Sequence, residues 1–196
     1  MSRPAQKRAF GVAAGLPEEV CGPLAAAVQD AGYDSIWAND HPFAKGLETL
    51  AEFAGAADDI DLGVAVIALD RQGADVIAED IKRLDLDPAR LWIGVGAGFS
   101  KKPLTFMKEQ VSVLRETLPD VKLVMAAMGP KMCSLAGAEF DGAFFNWMTP
   151  GFASGAREKV AAGAAEAGHD APPVGGYVRA ASGADSATST SSADSA

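Results

Sequence analysis

Val124–Pro150 reads VMAAMGPKMCSLAGAEFDGAFFNWMTP and carries the pattern of the whole chain in one stretch. The apolar run Leu123–Ala127 has the length and composition of a buried strand. Gly129 and Pro130 end it, and proline suits the first position of a helix, where its missing N–H costs nothing. The spacing predicts a helix over Lys131–Glu139, stopped by the Asp141-Gly142 turn, and another strand over Ala143–Trp147. Thr149-Pro150 repeats the opening signal, a capping hydroxyl followed by proline. Backbone N–H groups and Lys131 are thus placed where a strand hands over to a helix, which suits a phosphate.

The same alternation extends in both directions. Upstream, short apolar runs over Ala9–Gly15, Ser35–Ala38, Ile60–Leu69, Leu91–Val95 and Val121–Ala127 read as strands. Helical spacing separates them: Val20, Leu24 and Val28; Leu47, Leu50 and Phe53; Ile77, Ile81 and Leu84; Phe106, Val111 and Leu114. Downstream, Ala153–Ala167 is alanine-rich and helical, and Val174–Ala180 is the seventh strand. Strands that are almost continuously apolar and alternate with helices are the mark of parallel βα units. Periodicity alone leaves two architectures open, a doubly wound open sheet and a TIM barrel, which needs eight strands and typically ~250 residues. Ser182–Ala196 (SGADSATSTSSADSA) has no aromatic or long aliphatic side chain to bury, so a flexible tail is expected there, after one domain over residues 1–181.

The net charge of -9 and the sequence pI near 4.7 argue against nucleic acid or an anionic membrane as the main partner. They leave room for a phosphorylated small molecule, because a local nest of N–H groups can hold one. Cys21 and Cys133 are the only cysteines, without metal-ligand or disulfide spacing, and are expected as core thiols. No run approaches the 18 apolar residues of a membrane span, and Met1–Phe10 lacks the apolar centre of a signal peptide. A soluble protein of the reducing cytosol is expected, and a homo-oligomer is compatible with that.

Asp40-His41 closes the second strand, at the edge where parallel α/β folds gather ligands and catalytic groups. One reading is a histidine that exchanges protons beside an orienting carboxylate; the other is a loop histidine and a helix-capping aspartate. Gly94-Val95-Gly96-Ala97-Gly98 fails the GxGxxG dinucleotide fingerprint, because Phe99 occupies the third glycine position. Its glycines suit either close approach of a ring or tight loop packing. Lys101-Lys102 reads as a solvated pair, His169 as a turn residue, and Trp147 as either a ring-stacking wall or a core aromatic. A GxSxG elbow and a metal-ligand cluster are both absent from the sequence.

Four blocks stand in order: AGYDSIWANDH (31–41), IDLGVAV (60–66), WIGVGAG (92–98) and AAMGPKMCSLAGAEFDGAFFNWMTP (126–150). Together they resemble the luciferase-like monooxygenase superfamily, flavin- and deazaflavin-dependent oxidoreductases with TIM-barrel folds. The last block is similar to members that use coenzyme F420, the 8-hydroxy-5-deazaflavin hydride carrier. The resemblance implies hydride transfer between F420 and an organic substrate, with FMN as the alternative cofactor. It implies that Asp40 and His41 lie beside the reactive ring, His41 placed for proton transfer. It implies a bulging non-prolyl cis peptide at Ala65-Val66, a ring pocket at Gly96, Ala97 and Gly98, and a phosphate turn at Ala127, Met128, Gly129, Pro130 and Lys131. Phe99 stands where sugar-phosphate dehydrogenase relatives place a catalytic glutamate, so that role is not carried over. Relatives also continue through a seventh helix and an eighth βα unit. The expectation is therefore an incomplete barrel of about seven βα units: a shortened relative, a fragment, or a chain completed by a partner. A catalytically silent homologue that binds a flavin-like ligand is the reading that competes with an enzyme.

Overall fold

A computed structural model describes residues 7–146 and 148–180. Seven strands form one sheet in chain order, every neighbouring pair parallel. They are β1 (Ala9–Ala13), β2 (Ser35–Asn39), β3 (Asp61–Ala68), β4 (Leu91–Gly96), β5 (Lys122–Ala126), β6 (Gly142–Phe145) and β7 (Val174–Gly176). Six helices link them: α1 (Glu18–Asp30), α2 (Gly46–Ala54), α3 (Ala74–Arg83), α4 (Pro103–Thr117), α5 (Pro130–Glu139) and α6 (Pro150–Ala167). Sequential order with one helix per crossover curls the sheet into an incomplete TIM barrel, with β1 and β7 as its two edges among the described residues.

Alternation along each strand divides the core in two. Ile36, Leu62, Ile93 and Leu123 point outward and are fully buried beneath the helices with Leu50, Phe53, Ile77 and Leu114. Burying each such side chain contributes about 1.5–3 kcal/mol. The inward face is a smaller aromatic cluster of Trp37, Trp92, Phe144 and Tyr177, with Ala65, Val66 and Val124. The Trp37 ring fills the space where a side chain on Gly63, its neighbour across the β2–β3 ladder, would stand. Lower in the barrel the polar inward groups satisfy one another. Trp92 Nε1 donates to Asp61 Oδ2 at 2.8 Å, and Lys122 lies 3.7 Å from the same carboxylate and 4.8 Å from the centre of the Trp92 ring.

Strand β3 departs from regular alternation. Its register against β4 slips between Val64 and Ile67, and the Ala65–Val66 peptide bond is cis. Ala65 and Val66 consequently both join the inward cluster, before Ile67 returns to the outer core.

The helix read over Ala153–Ala167 begins at Pro150, where Thr149 Oγ1 accepts from Phe152 N–H, the cap that Thr149-Pro150 signals in the sequence. One end differs from the sequence expectation. The seventh strand, expected to reach Ala180, stops at Gly176. After one more backbone bond, from Tyr177 N–H to Phe145 O, the Tyr177 side chain turns into the barrel, and Val178 is exposed. The sixth strand spans Gly142–Phe145; Trp147, expected at its end, lies outside the described residues, as do the domain boundary at 181 and the tail at 182–196. None of the described helices is long and apolar enough to cross a membrane.

Candidate active site

The carboxyl ends of the strands surround a cavity of about 370 Å³. Asn39 and Asp40 reach it from the end of β2, Ala65 and Val66 from the β3 bulge, Ala126 and Met128 from β5, Phe144 and Asn146 from β6, and Tyr177 from just past β7. Its polar groups are two amides, one carboxyl and one phenol; Val66, Ala126, Met128 and Phe144 supply apolar wall. Trp37 stacks on Phe144 with ring centres 5.6 Å apart, and Tyr177 meets Phe144 edge-on at 4.6 Å, so the aromatic floor is fixed by mutual packing.

Of the residues singled out in the sequence, Asp40, Ala65, Val66 and Met128 line this cavity. Asp40 Oδ1 accepts from Gly46 N–H at 2.9 Å, so the carboxylate also caps the start of α2. Burial raises its pKa, against weaker lowering by the Gly46 hydrogen bond and by Arg71.

His41 is turned elsewhere. Its Nδ1 accepts from Phe43 N–H at 3.3 Å and its Nε2 donates to Ala14 O at 3.2 Å, a pairing that the neutral Nε2–H tautomer satisfies. The ring thereby ties the β2–α2 loop to the end of β1, and it is absent from the cavity lining. The loop is anchored on its other side by Lys45, whose Nζ lies 2.9 Å from the buried Asp80 carboxylate on α3.

Gly96 is absent from the cavity lining, and a Cβ placed on it would lie 3.6 Å from both Ala126 and Val66, which do line it. Ala97 is buried in the outer core. Gly98 has φ 57°, a left-handed conformation that favours glycine, and the Asp70 side chain fills the space a Cβ would need. Asp70 Oδ2 also accepts from Phe99 N–H at 2.8 Å, which locks the loop after β4. In the last group Ala127 is in the outer core, while Gly129, Pro130 and Lys131 form the start of α5. No side chain caps that helix, and Pro130 has no N–H. The N–H groups of Lys131 and Met132 therefore lack partners within the helix, one turn of chain beyond the cavity-lining Met128.

Sequence reasoning did not single out Asn39, Ala126, Phe144, Asn146 or Tyr177 for the cavity. A parity signal was available for some of them. Asn39 shares the face of Trp37, Ala126 that of Val124, and Tyr177 that of Gly175, each two residues further toward the carboxyl end. Among the described residues no group of three or more His, Cys, Asp and Glu side chains could hold a metal ion.

Parallel βα units curled into an open barrel, with a cavity at the carboxyl ends of the strands, define a scaffold of the TIM-barrel class. Residues 21–119 match the family model described as luciferase-like monooxygenase, and the chain belongs to that family. It is 29% identical over 178 aligned residues to a 5,10-methylenetetrahydromethanopterin reductase of Methanolobus tindarius, covering 73% of this chain and 55% of that protein. In structure it is similar to the coenzyme F420 dependent tetrahydromethanopterin reductase from Methanopyrus kandleri, with TM-score 0.72 and 20% identity over 88% of this chain and 65% of that one. It is also similar to the oxygenating constituent of 3,6-diketocamphane monooxygenase from Pseudomonas putida, solved in complex with FMN, with TM-score 0.64 and 14% identity over 84% of this chain and 64% of that one. The chain thus spans about half the length of the curated relative and about two thirds of these solved structures.

Proposed function

We propose that this chain carries the cofactor end of an F420-dependent oxidoreductase, transferring a hydride between the deazaflavin and an organic substrate. The observation that carries the reading is the adjacency of two features: a cavity with apolar walls and amide, phenol and carboxyl groups, and an uncapped helix start. A planar heterocycle with a phosphorylated side chain needs both. The apolar surfaces of Val66, Ala126 and Met128 suit a ring, the polar groups suit its amide-like edge, and the N–H groups at the start of α5 suit a phosphate. Lys131, exposed in the first turn of α5, adds a cation there.

The cofactor would supply or accept the hydride; the protein's part is orientation and proton handling. Asp40 is the ionisable carboxyl of the cavity. Its raised pKa keeps a proton on it closer to neutrality than on an exposed carboxylate, which suits it to hold a proton for the substrate heteroatom next to the carbon that receives the hydride. His41 serves this chemistry by holding the loop that presents Asp40. The preference for F420 over FMN rests on the Asp40-His41 pair and on the 126–150 block.

Titration of the purified chain with oxidised and reduced F420 and with FMN, followed by fluorescence, tests the proposal. Saturable binding of F420, tighter than that of FMN, is the expected result. Tighter FMN binding would move the assignment to a flavin monooxygenase, and binding of neither would overturn the cofactor reading.

A further inference from the structure

Tyr177 is the residue that joins the last strand to the beginning of the barrel. Its hydroxyl contacts Asn39 Oδ1 at the end of β2 and Ala65 O in the β3 bulge, the latter at 3.0 Å. These partners lie 138 and 112 positions away in the chain. The ring stands edge-on against Phe144, and its Cε1 lies 3.5 Å from the position a Cβ on Gly11 of β1 would take. One side chain thus touches β2, β3 and β6 at the level of the cavity and occupies the space beside Gly11 of β1.

A phenol has one proton, and both of its contacts are acceptor oxygens. Turning the Asn39 amide over resolves this. Its N–H then donates to the phenol oxygen and the phenol O–H donates to Ala65 O, with Asn39 itself lining the cavity. Burial pushes the phenol pKa up to about 12, so the group stays a donor throughout the working range and does not act as a base.

We propose that Tyr177 is a positioning residue: through an Asn39–Tyr177–Ala65 relay it holds the bulged Ala65–Val66 wall in place and presents the Asn39 carbonyl oxygen to the cavity as an acceptor for a ligand N–H. The relay itself follows from the contacts just described. Its consequence for a ring ligand rests on the cofactor reading given above.

Two arms test this separately, using Tyr177→Phe, which keeps the ring and its packing on Phe144 and removes only the hydroxyl. In the ligand-free chain, amide exchange over residues 64–68 should become about tenfold faster, with distant helices unaffected. Asn39→Ala should give the same local effect, and the double variant no more than either alone, as for groups that act as one unit. Unchanged exchange in Tyr177→Phe, or additive effects in the double variant, would overturn the relay. In the second arm, affinity for whichever of F420 and FMN the unmodified chain binds should fall about tenfold in Tyr177→Phe. Equal affinity would show that the phenol merely fills space and would overturn the ligand role. Failure of the unmodified chain to bind either ring overturns the ligand role together with the cofactor reading and leaves the exchange arm to decide the relay.

Discussion

Asp40 and His41 are neighbours in the chain, and the fold gives them different tasks. The histidine spends both ring nitrogens on the backbone of Ala14 and Phe43, while Asp40 lines the cavity and its carboxyl accepts from Gly46 N–H. Burial raises the Asp40 pKa, so its contribution to stability is present when it is protonated at low pH and is lost as pH rises through its folded value. Wherever the group is ionised it is therefore a cost to the fold, one that a functional site can bear. Asp40→Asn keeps an oxygen for Gly46 N–H and removes the charge. Its melting temperature at pH 7 should equal or exceed that of the unmodified chain, with the difference vanishing at acid pH. Turnover should fall roughly 10²-fold if Asp40 supplies the proton. Unchanged turnover would remove Asp40 from the chemistry, and a lower melting temperature at pH 7 would show that capping α2 outweighs desolvation.

At the scale of elements, the closest helix packing is between α5 and α6, where glycines let backbone meet backbone. A Cβ on Gly137 would run into the carbonyl of Val160, and one on Gly163 into the carbonyl of Ser134. Because the obstacle is main chain, it cannot step aside as a flexible side chain would. Gly163→Ala should therefore destabilise by about 3 kcal/mol, even though alanine has the better helix propensity. The corresponding fall in melting temperature is roughly 6–12 °C; a rise would mean that propensity wins and the helices separate freely. This contact also marks the limit of what is legible in the sequence. The alternation of apolar runs with helical spacing places the seven strands and six helices of the described residues, because β2 to β6 are buried on their outer faces whatever their neighbours are. Gly137 and Gly163 look like ordinary residues of an alanine-rich helix until the partner helix is known. The same holds for the site. Asp40, Ala65, Val66 and Met128 stand out through the family resemblance, whereas Tyr177 acquires its role only when β7 closes toward β2 and β3.

The molecule as a whole has a pH range set by several groups, two of which, Asp80 and His169, are not in the cavity lining. Burial would raise the Asp80 carboxyl, but hydrogen bonds from Arg83 and Lys45 outweigh it and hold the group below its ordinary 3.8. The stability it contributes is fully present above 3.8 and is lost as pH falls through its lower folded value. His169, past the end of α6, points Nδ1 at Asp170 O and Nε2 at Ala138 O, at 3.0 and 3.1 Å. Only the imidazolium donates to both, so these carbonyls raise its pKa above 6.5; its contribution is complete below 6.5 and is lost as pH rises through the folded value. Asp40 tilts the acid side slightly the other way, and the net charge of -9 adds self-repulsion as pH climbs above the isoelectric region. Stability should therefore be greatest between about pH 4 and 6.5, below neutrality. Melting curves from pH 3 to 9 measure this directly. His169→Gln, which keeps one donor and cannot be charged, should flatten the decline above 6.5, and Asp80→Asn should flatten the decline at the acid end. A melting temperature that rises steadily from pH 6 to 9 would show that the bridge from His169 to Ala138 does not hold α6 against α5.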